Sequence, residues 1–237
     1  MSSTIVDFHS HILPGVDDGS KSLEQSIAML KMEAEQGIHK VIATPHFYAQ
    51  HDKPDHFLKK RAEAEKRLRE EMTRHQGLPE LEIGAEVYYF NGISDCDALL
   101  QLTIGEKRFI LIEMPMPPWT ERMYKELEHI AIKQNLVPIV AHIDRYIAPF
   151  HNFGIPKRLE TLPVMVQANA EFFLEKRTRR MAFSMLKNGR IHLLGSDCHN
   201  LKDRKPNLGE AVTLLRRQFG PDIISFINAH EDEVLKF

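Results

Sequence analysis

Residues 108–142 read RFILIEMPMPPWTERMYKELEHIAIKQNLVPIVAH, and this stretch predicts the fold class of the chain. Residues 109–112 are uninterrupted apolar sequence, as expected for a strand buried on both faces of its sheet. Three prolines within 115–118 break the chain before an amphipathic segment that predicts a helix over 121–134. A second apolar run at 137–141 predicts another strand. Strands that alternate with helices in this way indicate a parallel sheet.

The same alternation runs through the whole chain. Seven strands are predicted, at 4–8, 40–44, 81–85, 109–112, 137–141, 164–168 and 191–195. Helices are predicted at 22–36, 53–75, 94–102, 121–134, 157–162, 175–188 and 207–219, with a last one from Pro221. No glycine-rich dinucleotide turn follows the first strand, and no linker or repeat interrupts the pattern. We therefore predict an α/β fold, a (β/α)7 barrel of the TIM-barrel type, formed by one domain of residues 1–237.

Composition excludes several classes of protein. The chain of 237 residues carries 31 Lys and Arg against 33 Asp and Glu, a balance that argues against a broad nucleic-acid-binding face. Two cysteines cannot build a disulfide framework or a cysteine-rich zinc module. Neither a signal peptide nor an apolar run of the ~20 residues needed to span a membrane is recognisable, so we expect a cytoplasmic protein without membrane insertion. With 13 histidines, any metal is expected to be bound by imidazole and carboxylate groups.

Polar side chains fall at the carboxyl ends of the predicted strands, where parallel barrels carry their active sites. Six of the seven strands end in a histidine or a carboxylate, and the sixth strand ends in Asn169 instead. The candidate metal ligands, with one aspartate from the loop after the first strand, are His9, His11, Asp18, His46, Glu86, Glu113, His142, Asp197 and His199. Nine ligands exceed the need of one zinc ion and suit two or three ions ~4 Å apart.

Each candidate residue, taken alone, has a simpler interpretation than metal binding. An isolated His-x-His pair usually makes core hydrogen bonds. The joint pattern is different, because charged side chains are rarely buried unless they are paired or bind a metal. The spacing of two in His9/His11 and in Asp197/His199 also places each pair on one face of its strand. We therefore predict a metal cluster at this rim.

The motifs that contain these residues resemble those of the PHP (polymerase and histidinol phosphatase) hydrolases. The matching segments are DFHSHILPGVDDGS at 7–20, ATPH at 43–46, GAEVYY at 84–89, LIE at 111–113, AHIDRY at 141–146 and GSDCHN at 195–200. They are most similar to those of the bacterial protein-tyrosine phosphatases of capsule and exopolysaccharide operons. Asp144 stands where many relatives have glutamate, and the loop at 47–57 has no clear match.

This resemblance implies a distorted seven-stranded barrel with two or three divalent ions at the nine positions above. Manganese is the metal most expected, with Fe, Zn, Co or Mg as alternatives that the ligand types also suit. The resemblance implies that Arg145 contacts the substrate phosphate, and a planar guanidinium matches two phosphate oxygens. Together with Arg145, the candidate catalytic residues are Asp18 and His46. The implied substrate is a phosphotyrosine protein, the Tyr-rich tail of a bacterial tyrosine kinase.

Other functions remain open at this point. Cys198 and Arg204 have the Cys-x5-Arg spacing of thiolate phosphatases, although the intervening residues include Asp203 and no glycine. A small-molecule phosphoesterase such as histidinol phosphatase would use the same site, and a non-catalytic regulatory module would use the metals structurally. Phe47, Tyr48 and Trp119 could flank an aromatic substrate or simply pack against the rim.

Overall fold

The structure is a computed structural model that describes residues 5–149 and 154–223, together with positions 225, 227, 229, 230 and 234. Residue 106 is described by its backbone alone. The strands are β1 (Val6–Ser10), β2 (Lys40–Ala43), β3 (His46–Phe47), β4 (Glu80–Ile83), β5 (Glu86–Tyr88), β6 (Phe109–Glu113), β7 (Val137–Val140), β8 (Met165–Asn169) and β9 (Leu193–Gly195). The helices are α1 (Leu23–Glu35), α2 (Pro54–Met72), α3 (Glu121–Gln134), α4 (Ile143–Ile147), α5 (Gly154–Leu159), α6 (Ala170–Leu174), α7 (Arg179–Lys187) and α8 (Leu208–Phe219). Thr4 and much of the helix predicted after Pro221 lie outside the described residues.

The strands form a parallel barrel with seven strand positions, as predicted. Two of these positions are each divided into two short strands. The first is interrupted between β2 and β3 at Thr44–Pro45, and the second between β4 and β5 at Gly84–Ala85. The breaks divide the sheet into the orders β1-β2-β4 and β3-β5-β6-β7-β8-β9. The circle is closed where Ser10 bridges Cys198, which follows β9. Proline lacks the N–H that a continuous ladder needs, which accounts for the first break. The barrel is therefore distorted at the rim that carries the predicted ligands.

Two apolar layers hold the barrel together. The inner layer fills the barrel below the rim and contains Val6, Phe8, Ile42, Phe109, Leu111, Ile139, Met165 and Leu193. A larger outer layer packs the strands against the helices. No described helix is long and apolar enough to cross a membrane.

A register shift in β1 turns its histidines toward the barrel mouth. Val6 and Phe8 lie in the inner layer, whereas Asp7 faces α1, with its carboxylate within 4.8 Å of that of Glu33. Strict alternation would send His9 outward with Asp7. The ladder between β1 and β2 is irregular between Asp7 and Ser10, and the backbone N–H of His9 donates to Oδ1 of Asp7. Such bulges re-aim side chains next to active sites.

The helix predicted over 175–188 is wrong in its first residue, because the helix found there begins at Arg179. Helix α6 begins directly after β8, and four residues separate its end from the start of α7. Hydroxyl and guanidinium groups cap the end of α6, because Thr178 donates to the carbonyl of Phe172 and Arg179 donates to that of Phe173. These caps satisfy carbonyls that a continuous helix would bond internally.

The helix predicted over 94–102 is likewise replaced by short 3-10 turns at Ile93–Asp95 and Asp97–Gln101. Gly92 before them has φ of 84°, a left-handed conformation in which glycine is favoured. This side of the barrel therefore lacks a full helix between β5 and β6.

His192 makes the fold sensitive to acid away from the rim. Its Nδ1 accepts from the backbone N–H of Val166 at 3.0 Å, and its ring lies 5.3 Å from that of His230. Burial and the neighbouring His230 lower the pKa of His192 to about 4. The unfolded chain binds this proton near pH 6.5. The contribution of His192 to stability is therefore present above pH 6.5 and lost as the pH falls toward 4.

We expect the His192→Asn variant to lose less unfolding free energy than the wild type between pH 7 and pH 4.5, because its amide oxygen can accept from Val166 without titrating. Urea unfolding at both pH values measures the difference. Equal losses in the two proteins would contradict this assignment.

Candidate metal centre

The nine predicted ligands meet at the carboxyl ends of the strands. Four of them lie on β1, β3, β5 and β6, the loops after β1, β7 and β9 bring in the other five, and short polar contacts link all nine side chains into one cluster. Most are buried, whereas Asp18 is 66% exposed and forms the outer edge of the cluster.

Glu86 occupies the centre of the cluster. Its Oε2 lies 3.1 Å from Nε2 of His9 and 3.2 Å from Nε2 of His11. The same oxygen lies 3.0 Å from Nδ1 of His46. Its Oε1 lies 2.9 Å from Nε2 of His142. One fully buried carboxylate thus contacts four imidazoles from three different parts of the chain.

The outer half of the cluster is built around Asp18. Its Oδ1 lies 3.4 Å from Nε2 of His199 and 3.7 Å from Nε2 of His46. The ring of His11 lies 3.9 Å from that of His199 and 4.4 Å from that of His46. His11 and His46 therefore connect this half to Glu86.

The ligand atoms form overlapping groups in which all atoms lie within 4.8 Å of one another. The groups at the rim are His9, His11 and Glu86; His46, Glu86 and Glu113; and His11, Asp18, His46 and His199. Two atoms that bind the same ion at ~2.1 Å are about 3.0–3.4 Å apart in octahedral or tetrahedral geometry. The contacts of Oε2 of Glu86, at 3.0, 3.1 and 3.2 Å from three imidazole nitrogens, match this spacing.

Several buried atoms of the cluster form no hydrogen bond with a described residue. They are Nδ1 of His46, Oε2 of Glu86, Oε2 of Glu113, Nδ1 of His142 and Nε2 of His199. A buried polar atom without a partner costs about 1–3 kcal/mol unless an ion or a water satisfies it. The donor set thus fits bound cations.

The charges of the cluster shift its pKa values strongly. Burial would raise the pKa of Glu86, but the charge of His9 and the polar contacts of His11, His142 and His46 hold it well below its usual range. Burial would lower the pKa of His142, but hydrogen bonds to Glu113 and Glu86 raise it to about 9. Burial and the charge of His11 lower the pKa of His199 to about 4. The carboxylates are therefore held in the ionised form that binds metals.

Two arginines converge on Asp197. Nη2 of Arg145 donates to its Oδ2, and Nη2 of Arg204 donates to its Oδ1 at 2.7 Å. Arg145 is 36% exposed, so part of its guanidinium faces the solvent beside the cluster. A cavity of about 440 Å³ extends from this point and is lined by both arginines.

The backbone of the rim is strained where it presents ligands. His142 has φ of 29° and Asp197 has φ of 55°, values that non-glycine residues rarely adopt. The N–H of His142 donates to Oε1 of Gln167, and the N–H of Asp197 donates to the carbonyl of His9. Glycine is required at position 19, because an added Cβ would lie 2.2 Å from the carbonyl oxygen of His11.

Several polar partners of the cluster were not predicted. Oδ2 of Asp17 lies 2.7 Å from Nδ1 of His11 and accepts from the N–H of His46. Oε1 of Gln167 lies 3.3 Å from Nδ1 of His9, and Asn169 donates to Asp197. Such partners orient metal-binding imidazoles and carboxylates. The adjacency of Asp17 to Asp18 and the end of the sixth strand at Asn169 were the available sequence signals.

A buried acidic pair lies behind the rim, between β1 and α1. Asp7 accepts hydrogen bonds from the N–H and the hydroxyl of Ser196, and Oε1 of Glu33 lies 3.8 Å from Sγ of Cys198. Burial raises the pKa of Asp7 and raises that of Glu33 further, with the charge of Asp7 adding to the effect. The pair joins α1 to β1 and to Ser196 and Cys198, which follow β9.

The thiolate alternative does not fit this geometry. Cys198 is fully buried and faces Glu33, away from Asp197 and His199. Burial and the charge of Glu33 raise the pKa of its thiol well above the usual value. Arg204 pairs with Asp197 instead of with the sulfur.

We expect Cys198→Ser to keep kcat/KM on p-nitrophenyl phosphate within about threefold of the wild type, because no reacting group contacts the sulfur. The buried hydroxyl should lower the unfolding free energy by roughly 1–2 kcal/mol. Steady-state kinetics and urea unfolding of the variant measure both effects. A folded variant with activity reduced 100-fold would restore the thiolate mechanism.

The three aromatic candidates separate in the structure. Phe47 is 1% exposed and packs on Phe57, which agrees with the packing alternative. Trp119 packs edge-on against Tyr146 and donates to the carbonyl of Pro115. Tyr48 is partly exposed and lies against the cluster, with its ring centroid 5.1 Å from that of His46.

Comparison with known proteins places this site in a family. Residues 5–235 match the family described as "Capsular polysaccharide synthesis, CpsB/CapC". The chain belongs to the CpsB/CapC family. It is 30% identical to the tyrosine-protein phosphatase CpsB of Streptococcus pneumoniae, with 91% of each chain covered. It is 26% identical to the tyrosine-protein phosphatase YwqE of Bacillus subtilis, over 98% of this chain and 92% of that one.

Solved structures agree with the CpsB/CapC assignment at the level of the fold. A chain from the crystal structures of YwqE from Bacillus subtilis and CpsB from Streptococcus pneumoniae superposes with a TM-score of 0.85. The two chains are 24% identical, and the match covers 98% of this chain and 94% of that one. Those two proteins are described as unique metal-dependent tyrosine phosphatases. This member of the CpsB/CapC family therefore shares their distorted barrel.

Proposed function

We propose that this chain is a metal-dependent phosphatase that hydrolyses phosphotyrosine in proteins, acting as one domain of residues 1–237. The observation that carries the proposal is the meeting of nine imidazole and carboxylate ligands beside Arg145, at the active-site end of the barrel. Membership in the CpsB/CapC family and the names of its phosphatase relatives support the same conclusion.

The proposed metal ligands are the nine residues of the cluster: His9, His11, Asp18, His46, Glu86, Glu113, His142, Asp197 and His199. The three overlapping groups support two or three divalent ions, with Glu86 shared between two groups. When bound, such ions neutralise phosphate charge and lower the pKa of a water that can attack the ester. Mn²⁺ is the first choice for this mixed donor set, and Fe, Zn, Co and Mg are alternatives.

The remaining chemistry belongs to residues that face the open side of the cluster. Arg145 holds the phosphate through its exposed guanidinium edge, while its Nη2 is paired with Asp197 and its Nη1 lies 3.9 Å from Oε1 of Glu113. Asp18 and His46 form the partly exposed edge that the substrate reaches first. Asp18 closes the outer ligand group, and His46 lies between that group and Glu86.

The proposed partner is the phosphorylated, Tyr-rich tail of a bacterial tyrosine kinase that controls capsule or exopolysaccharide synthesis. The capsular family description supports this assignment. Phosphorylation by such an ATP-using kinase would place the reaction in the cytoplasm.

Comparing substrates tests the proposal. The Mn²⁺-loaded protein should hydrolyse a phosphotyrosine peptide with a higher kcat/KM than histidinol phosphate, and a chelator should abolish turnover until Mn²⁺ is restored. Good turnover of histidinol phosphate with failure on the peptide would replace this function by a small-molecule phosphatase. Absence of turnover on p-nitrophenyl phosphate with the metals bound would indicate a non-catalytic module.

A further inference from the structure

Two tyrosines that are not predicted ligands border the mouth of the cluster. Tyr48 directly follows β3, and Tyr88 is the last residue of β5. Their ring centroids are 5.5 Å apart with an angle of 44° between the planes. Both side chains are partly exposed.

Strand alternation places both rings on the ligand side of the barrel. The strands β3 and β5 are paired in register, with His46 opposite Glu86. Tyr48 and Tyr88 each lie two residues beyond one of these ligands and therefore share its face. The intervening Phe47 and its partner Val87 are buried in the outer apolar layer. The two tyrosines thus extend the wall of the site toward the solvent.

Tyr48 stands over the cluster itself. Its ring is stacked on His46, with centroids 5.1 Å apart and 30° between the planes. Partial burial raises the pKa of Tyr48, and the nearby charges of Glu113, Glu86 and Asp18 raise it further. One edge of the ring is fixed by His46 and Tyr88, while the exposed part faces the approach to the site.

We propose that Tyr48, supported by Tyr88, is a specificity-determining residue on which the aromatic ring of an aryl phosphate packs. The inference rests on the proposed function and deepens it. In an aryl phosphate a single oxygen joins the ring to the phosphorus, so a phosphate held at Arg145 and the cluster brings the ring to this wall. Aromatic rings 4.5–7 Å apart attract each other beyond the effect of buried area. An alkyl phosphate has no such ring and gains less from the contact.

Calorimetric titration of the Mn²⁺-loaded protein with benzylphosphonate and methylphosphonate tests this proposal without requiring turnover. The two probes share the anion and differ only in the ring. We expect Tyr48→Ala to weaken benzylphosphonate binding about 3- to 10-fold and methylphosphonate binding less than 2-fold. Tyr48→Phe should restore benzylphosphonate binding because it keeps the ring. Tyr48→Leu keeps apolar volume without the ring and replaces the alanine variant if that variant does not fold.

Tyr89→Phe is the matched control, because Tyr89 is the next residue along the chain and is buried on the other face. It should leave the affinity ratio of the two probes unchanged. Equal weakening of both probes by Tyr48→Ala, no weakening of either, or an equal defect in Tyr48→Phe would overturn the proposal. A wild type that prefers benzylphosphonate in this Tyr48-dependent way but fails on phosphotyrosine peptides would refute the proposed function alone.

Discussion

Glu86→Gln is expected to lower kcat/KM on p-nitrophenyl phosphate by about 10³-fold or more. The substitution keeps the size of the side chain and removes the charge that contacts four imidazoles. A shared ligand of this kind supports more than one ion, and metal stabilisation of a phosphoryl transition state amounts to several kcal/mol. Each 1.36 kcal/mol corresponds to a factor of ten in rate.

The measurement combines steady-state kinetics with elemental analysis of the purified variant. Glu33→Gln is the matched control, because Glu33 is also fully buried but lies behind the rim against Cys198, away from the cluster. We expect the control to keep its metal content and most of its activity. Full metal content and near-normal turnover in Glu86→Gln would show that Glu86 is not a ligand.

Arg145→Ala is expected to reduce kcat/KM by about 10²- to 10³-fold while the bound metal is retained. Charge-assisted hydrogen bonds contribute roughly 1.5–3 kcal/mol each, and a guanidinium offers two of them to one phosphate. Asp197 keeps its hydrogen bond to Arg204 in this variant, so its charge does not become unpaired. Arg145→Lys should recover only part of the loss, since an ammonium is a point charge without the planar fork.

The same assay on Arg158→Ala controls for a general effect of lost positive charge. Arg158 pairs with Glu121 on the surface and is expected to change kcat/KM less than twofold. Inhibition by inorganic phosphate should weaken in Arg145→Ala and stay constant in Arg158→Ala. An Arg145→Ala enzyme with normal kcat/KM would remove this residue from the proposed mechanism.

The local spacing of the ligands was predictable from the chain. His9 and His11, like Asp197 and His199, lie two residues apart, and the members of each pair lie close together in the structure, although a register shift in β1 and the positive φ of Asp197 help to set their directions. The apolar runs before Glu113 and His142 predicted buried strands, and both are found there. These features depend on residues near each other in sequence, so a single sequence contains them.

The helix ends were less predictable. The separate helices α6 and α7 exist because Thr178 and Arg179 reach back to cap carbonyls six residues earlier. Propensity in the window 175–188 carries no information on that contact. The pattern at 94–102 likewise predicts one helix, whereas the chain forms two short 3-10 turns there.

By itself the sequence determined the parallel α/β order, and it predicted the residue types of the proposed ligands and their placement at strand ends. Only the tertiary structure decided which atoms meet at Glu86, how Asp17 and Gln167 orient the imidazoles, and that Arg204 binds Asp197 while Cys198 faces the core. Gln167 lies 158 residues along the chain from His9, whose ring it contacts. The register shift in β1 also emerges only when β1 pairs with β2. Such contacts are set by barrel closure and burial of the whole chain, which no local pattern encodes.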